Sequence, residues 1–140
     1  MEISYSQFEE RAGKLKSRIR AACGICGRNP DEIDVVAVTK SHPVEAIQYA
    51  VRYGFIRIGE NRVQEADQKW EEIDPRVELE LIGHLQTNKA RLAVSLFNRI
   101  QSVDRIKLVK VLNRYCEEVG KSLSVLLQVN SGEDPRKFGV

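Results

Sequence analysis

Lys40 is the first residue to weigh, because it follows the apolar run Val35-Val36-Ala37-Val38 and Thr39. An amine held against an apolar strand end is partly desolvated, which favours the neutral form that attacks an aldehyde. The alternative is a snorkelling lysine, its stem packed on the protein and its charge in water. His84 lies in the run Ile82-Gly83-His84-Leu85-Gln86. There it could serve as an acid or base, as a ring stacking on a planar cofactor, or as a satisfied strand-end histidine. Asn61, in Gly59-Glu60-Asn61-Arg62, could reach a ligand or cap the helix that follows. His42, just before Pro43, reads as a loop residue. Other chemistries find no support. The chain has no GxGxxG, no GxxxxGK[ST] and no GxSxG, and its acidic and histidine residues lack metal-ligand spacing. Ser131-Gly132-Glu133-Asp134 reads equally as a phosphate-binding turn or a plain surface turn.

Those residues share one kind of position. Five short apolar runs read as buried parallel strands: Val35–Val38, Phe55–Ile58, Leu79–Ile82, Arg99–Val103 and Ser124–Val129. Lys40, Asn61 and His84 each follow the end of one of them. Helical patterns lie between: Val44 to Val51 ending at Gly54, Val63 to Ile73 ending before Pro75, Ala90 to Phe97, and Ile106 to Val119 after a capping Asp104. A further amphipathic helix, carrying Phe8, Ala12, Leu15, Ile19 and Ala22, comes first, with Ser6 and Glu9 in the form of a capping box. This is a βαβ series with a parallel sheet. It fits a complete flavodoxin-like doubly wound sheet, or the first five units of a (β/α)₈ barrel, which typically needs about 250 residues. In both, functional groups gather at the C-terminal ends of the strands.

Composition narrows the class without naming a function. The 140 residues form a single domain, 1–140, with 42% hydrophobic and 30% charged residues, too apolar for a disordered chain. The net charge is +2 and the two signs are interleaved, which gives no reason to expect nucleic acid or an anionic membrane as a partner. The start lacks a basic and apolar leader, so a cytoplasmic protein is expected. Its three cysteines then read as reduced thiols, and Cys23 and Cys26 as half-buried residues at a helix end.

Taken in order, the strand-end segments resemble the pyridoxal phosphate homeostasis proteins. The resemblance rests on Ala37-Val38-Thr39-Lys40-Ser41-His42-Pro43, Gly59-Glu60-Asn61-Arg62-Val63-Gln64-Glu65 and Leu81-Ile82-Gly83-His84-Leu85-Gln86-Thr87-Asn88-Lys89. It continues through Ile100-Gln101-Ser102-Val103-Asp104-Arg105, Leu127-Gln128-Val129-Asn130 and Lys137-Phe138-Gly139. It implies a fold similar to the N-terminal barrel domain of alanine racemases, here a partial (β/α)₈ TIM-type barrel of about five units after an N-terminal helix. It also implies pyridoxal 5′-phosphate as the cofactor, held as a Schiff base on Lys40, with Asn61 and His84 facing it. The family is thought to buffer and deliver the cofactor without established turnover. A racemase-like enzyme and a non-PLP α/β interaction module are the competing readings.

The family's phosphate-holding groups lie near the ends of the last strands, which no motif of this chain supplies. Losing two charge-assisted hydrogen bonds of about 1.5–3 kcal/mol each would weaken binding on the order of a hundredfold or more. A five-unit sheet also leaves open edges, so self-association or a marginal fold is expected.

Overall fold

The computed structural model describes residues 4–140. Helix α1 (Tyr5–Cys26) begins at Ser4, two residues before the expected cap. The Ser4 hydroxyl accepts from the Gln7 N–H at 3.3 Å, and the Gln7 side chain accepts from the Ser4 N–H at 3.0 Å. The earlier start sets Tyr5 and Phe8 against the next helix, with Tyr5–Tyr49 and Phe8–Tyr53 ring centroids 5.6 and 6.1 Å apart. The helix ends at Gly27, whose φ of 67° suits a residue without a side chain. Near that end Cys23 is buried and Cys26 exposed.

Five strands follow: β1 (Val36–Val38), β2 (Arg57–Glu60), β3 (Glu78–Leu81), β4 (Arg99–Val103) and β5 (Ser124–Leu127). They alternate with α2 (Val44–Tyr53), α3 (Val63–Lys69), α4 (Ala90–Leu96) and α5 (Ile106–Val119). Every neighbouring pair is parallel and the spatial order is β1-β2-β3-β4-β5. That order decides between the two architectures. A flavodoxin-like sheet places its strands 2-1-3-4-5, with helices on both faces. Sequential strands with right-handed crossovers put every connecting helix on one face, which is how a barrel winds. The sheet is five units of a (β/α)₈-type barrel.

Register assigns each residue to a face. Ala37, Ile58 and Leu79 are in line, as are Glu60 and Leu81, and then Ile100. Ile58, Leu79, Leu81 and Ile100 join Ile47, Ala50, Ala66, Ala93 and Leu108 of the helices in one core. The opposite face carries Val36, Arg57 and Glu78 in one row, and Val38, Gly59, Glu80 and Arg99 in the next. A closed barrel would enclose that face.

Three expectations need correction. Phe55 is not in a strand: Gly54, at φ 100°, ends α2 and the Phe55 N–H donates back to Ala50 at 2.8 Å, so β2 starts at Arg57. Asp104 does not cap α5, whose N-cap position is Arg105. Instead the Asp104 carboxylate pairs with the Arg105 guanidinium and lies near His84. The β5 run is not buried. All four of its residues are exposed, because β4 is its one strand neighbour and no described helix follows to cover its outer side. Among the described residues no helix is long and apolar enough to cross a membrane.

Candidate functional site

The rim at the C-terminal ends of β1 to β5 holds the residues singled out above. Lys40 sits in the turn after β1, and its side chain is exposed rather than held against apolar neighbours. Val38, its alternate on the strand, is itself 50% exposed on the open face. The turn is nonetheless hydrogen-bonded into one geometry. Thr39 extends the ladder by donating its N–H to Gly59 at 3.1 Å, the His42 N–H closes on the Thr39 carbonyl at 3.1 Å, and Ser41 takes a left-handed φ of 61°.

Asn61 is half-buried at the end of β2. It does not cap α3, whose N-cap position is Arg62 without a side-chain bond. What fixes its place is Gly83, at the end of β3. A Cβ at Gly83 would stand 2.1 Å from the Asn61 carbonyl oxygen and 2.6 Å from its side-chain oxygen. Two strand ends touch backbone to backbone there, a contact that only glycine allows.

His84 follows directly. Its Nδ1 is buried and lies 3.3 Å from Asp104 Oδ2, within ion-pair distance but without hydrogen-bond geometry. Asp104 is nearly buried, and the Arg105 that pairs with it also donates to the Leu85 carbonyl at 2.9 Å. One face of the imidazole is covered by the ring of Phe138, with centroids 3.6 Å apart and planes at 16°. Asp104, Arg105 and Phe138 thus join the rim, the first two at the end of β4, where the strand pattern places polar groups. His42, by contrast, is an exposed loop residue.

The Ser131–Asp134 segment is a surface turn tied to the Asn130 side chain. Asn130 donates to the Asp134 carbonyl at 2.9 Å and accepts the Asp134 N–H at 3.2 Å. The nearby cations are taken up as well, since Asp134 pairs with Arg136 at 3.1 Å and Lys137 at 3.9 Å. The Arg136 hydrogen bonds hold the Asp134 carboxyl below the usual carboxylate range.

Against known proteins, no family model matches the chain. It is 36% identical to the pyridoxal phosphate homeostasis protein of Vibrio alginolyticus over 140 residues, covering 96% of this chain and 60% of that protein. This chain is similar to that family over nearly its whole length. It spans just over half the length of the curated relatives it matches. PipY of Synechococcus elongatus, solved with PLP bound, is 37% identical with a TM-score of 0.74, over 87% of this chain and 57% of PipY. An alanine racemase of Clostridium difficile shares the fold at a TM-score of 0.65 and 12% identity, over 76% of this chain and 28% of the racemase. Within this chain, Gly83-His84 places the bare backbone against Asn61 and the ring against Asp104. Two neighbouring positions thus join three strand ends.

Proposed function

We propose that the chain is a cytoplasmic pyridoxal 5′-phosphate carrier or regulator, with Lys40 as the attachment point and Asn61 and His84 beside the cofactor. The observation that carries this is the exposed Lys40 amine on a hydrogen-bonded turn, at the rim that also presents Asn61 and His84. The naming of the curated relatives and the PLP-bound PipY support the choice of cofactor. The residues present fit the aldehyde end of such a molecule. An exposed primary amine can condense with the aldehyde to a Schiff base, its two protons leaving with the carbonyl oxygen as water. Gly83 keeps the backbone beside Asn61 free of side chain, so the amide stays at the rim. No turnover is part of this reading, and chiral chromatography of amino acids incubated with the loaded chain is expected to show no racemisation.

Stoichiometric PLP addition followed by borohydride reduction and peptide mapping tests the attachment point. Label is expected on Lys40 and is expected to vanish in Lys40→Ala. Diffuse labelling of surface lysines, unchanged by that substitution, would overturn the proposal.

We also propose self-association through the open sheet. β1 and β5 each have one strand neighbour, and Val125, Leu126, Leu127 and Val129 are all at least 44% exposed. An edge of this kind recruits further strands. Sedimentation velocity is expected to show species larger than a monomer that grow with concentration; a monomer at all concentrations would exclude it.

A further inference from the structure

Both chain neighbours of Lys40 are tied to charged side chains that the reading above leaves unused. Thr39 Oγ1 donates to Glu60 Oε1 at 2.7 Å, and Lys69 Nζ donates to the Thr39 carbonyl at 3.3 Å. On the other side of Lys40, the Ser41 N–H donates to Glu65 Oε1 at 2.5 Å. Lys69 closes the circuit, reaching Glu60 Oε1 at 2.8 Å and Glu65 Oε1 at 3.2 Å. Glu60 is fully buried and Lys69 nearly so. Glu60 Oε2 has no hydrogen-bond partner among the described residues, so that carboxylate depends on the two donors at Oε1.

An exposed turn needs none of this. A buried ion pair is a poor source of net stability, because desolvating two charges offsets most of their attraction. Holding a serine in the left-handed region costs further energy. What the arrangement does supply is a single geometry for the three residues Thr39-Lys40-Ser41. A reaction between an amine and a bound aldehyde depends on such placement, since misalignment by about 1 Å can slow it a hundredfold.

We propose that Glu60, Glu65 and Lys69 are positioning residues, which fix the Lys40 turn and so set how readily its amine captures the cofactor. This rests on Lys40 being the attachment point. The three act through the turn, to which each is hydrogen-bonded.

The test uses Glu65→Gln, which keeps shape but weakens the acceptor for Ser41 and Lys69. A second variant, Glu60→Gln/Lys69→Met, removes both buried charges together and so leaves no bare carboxylate. In the cofactor-free chain, hydrogen exchange at the Ser41 amide is expected to speed up at least tenfold in both, with the α2 and α5 amides unchanged. Borohydride-trapped PLP on Lys40 is expected to fall about tenfold in rate. Acetylation of Lys40 relative to exposed Lys107 is expected to stay the same, which a change in simple access would not allow. Unchanged capture at Lys40 in both folded variants would overturn the inference. No capture at Lys40 in the unaltered chain would instead overturn the attachment reading, and the inference with it.

Discussion

Replacing Arg57 by methionine is expected to cost about 3 kcal/mol of folding stability, the low end of what breaking a buried ion pair removes. Arg57 lies on the open face of β2, where its Nε donates to Glu80 Oε1 at 2.8 Å and its Nη2 stands 2.7 Å from the same oxygen as an ion pair. It also pairs with Asp34, and Glu78 stands 3.6 Å away. Burial lowers the guanidinium's proton affinity, but the Glu80 hydrogen bond and charge, then Asp34, outweigh it and hold Arg57 above its ordinary range. Glu80 is only 1% exposed, so methionine at 57 leaves its charge with Gln101 and, at 3.7 Å, Arg99. Those two partners explain why the low end applies. A domain with about 5–15 kcal/mol in total would lose a large share of its stability. Urea denaturation of Arg57→Met, Glu80→Leu and the double variant checks this. The double variant is expected to be far more stable than the sum of the singles predicts, because it leaves no unpaired charge. Additive singles, or an unchanged midpoint in Arg57→Met, would show that the pair does not hold the sheet.

This charged row also bears on the rim above it. Glu80 aligns with Gly59 and Val38, and Lys40 follows Val38 by two residues. The charge network ties β2, β3 and β4 together below the rim, and β2 and β3 in turn carry Asn61 and His84 at their ends. Loosening the row is expected to blur the rim as well as lower the stability.

The barrel-type sheet was legible as alternation, but not as topology. Periodicity located all five strands to within about two residues, yet a strand's sequence does not say which neighbour it takes, so both windings stayed open. Spatial order settled it. Errors fell where local signals compete. Phe55 is apolar and follows a glycine, which reads as a strand start, but the end of α2 claims its N–H. Asp104 precedes a helix and reads as a cap, but the neighbouring Arg105 offers it a charge partner. At the rim, Lys40 was found because its type and place suggest chemistry. Lys69 was not, because a lysine near the end of a helix reads as a solvated residue; nothing in the local pattern shows that its stem crosses to the β1 turn. Glu60 does carry a signal in the sequence, a carboxylate at the end of an apolar strand, where burial requires a partner.

Gly83→Ala is the substitution whose effect the sequence alone would most underrate. The added Cβ meets backbone, the Asn61 carbonyl oxygen at 2.1 Å, as well as the Asn61 side chain. Neither strand end can retreat easily. The Gly83 carbonyl accepts the buried Ser102 hydroxyl at 2.6 Å, and the preceding Ile82 N–H donates to Glu60 at 2.9 Å. Overpacking typically costs 1–3 kcal/mol, and a clash with pinned backbone belongs at or above the upper end, about 3 kcal/mol. Gly59→Ala is the comparison within the same sheet. Its Cβ meets side-chain methyl groups, Val36 Cγ1 at 3.2 Å and Ile82 at 3.4 Å, which can yield by a few tenths of an ångström, so about 1 kcal/mol is expected. Thermal and urea unfolding of the two variants measure that difference. The functional arm follows from where the clash falls. Relief in Gly83→Ala must displace Asn61, whereas in Gly59→Ala it moves apolar groups below the rim. Folded Gly83→Ala is therefore expected to trap less PLP on Lys40 under borohydride than Gly59→Ala does, even at a temperature where both are native. Equal stability of the two variants would refute the backbone clash, and equal trapping would remove Asn61 from the cofactor's surroundings.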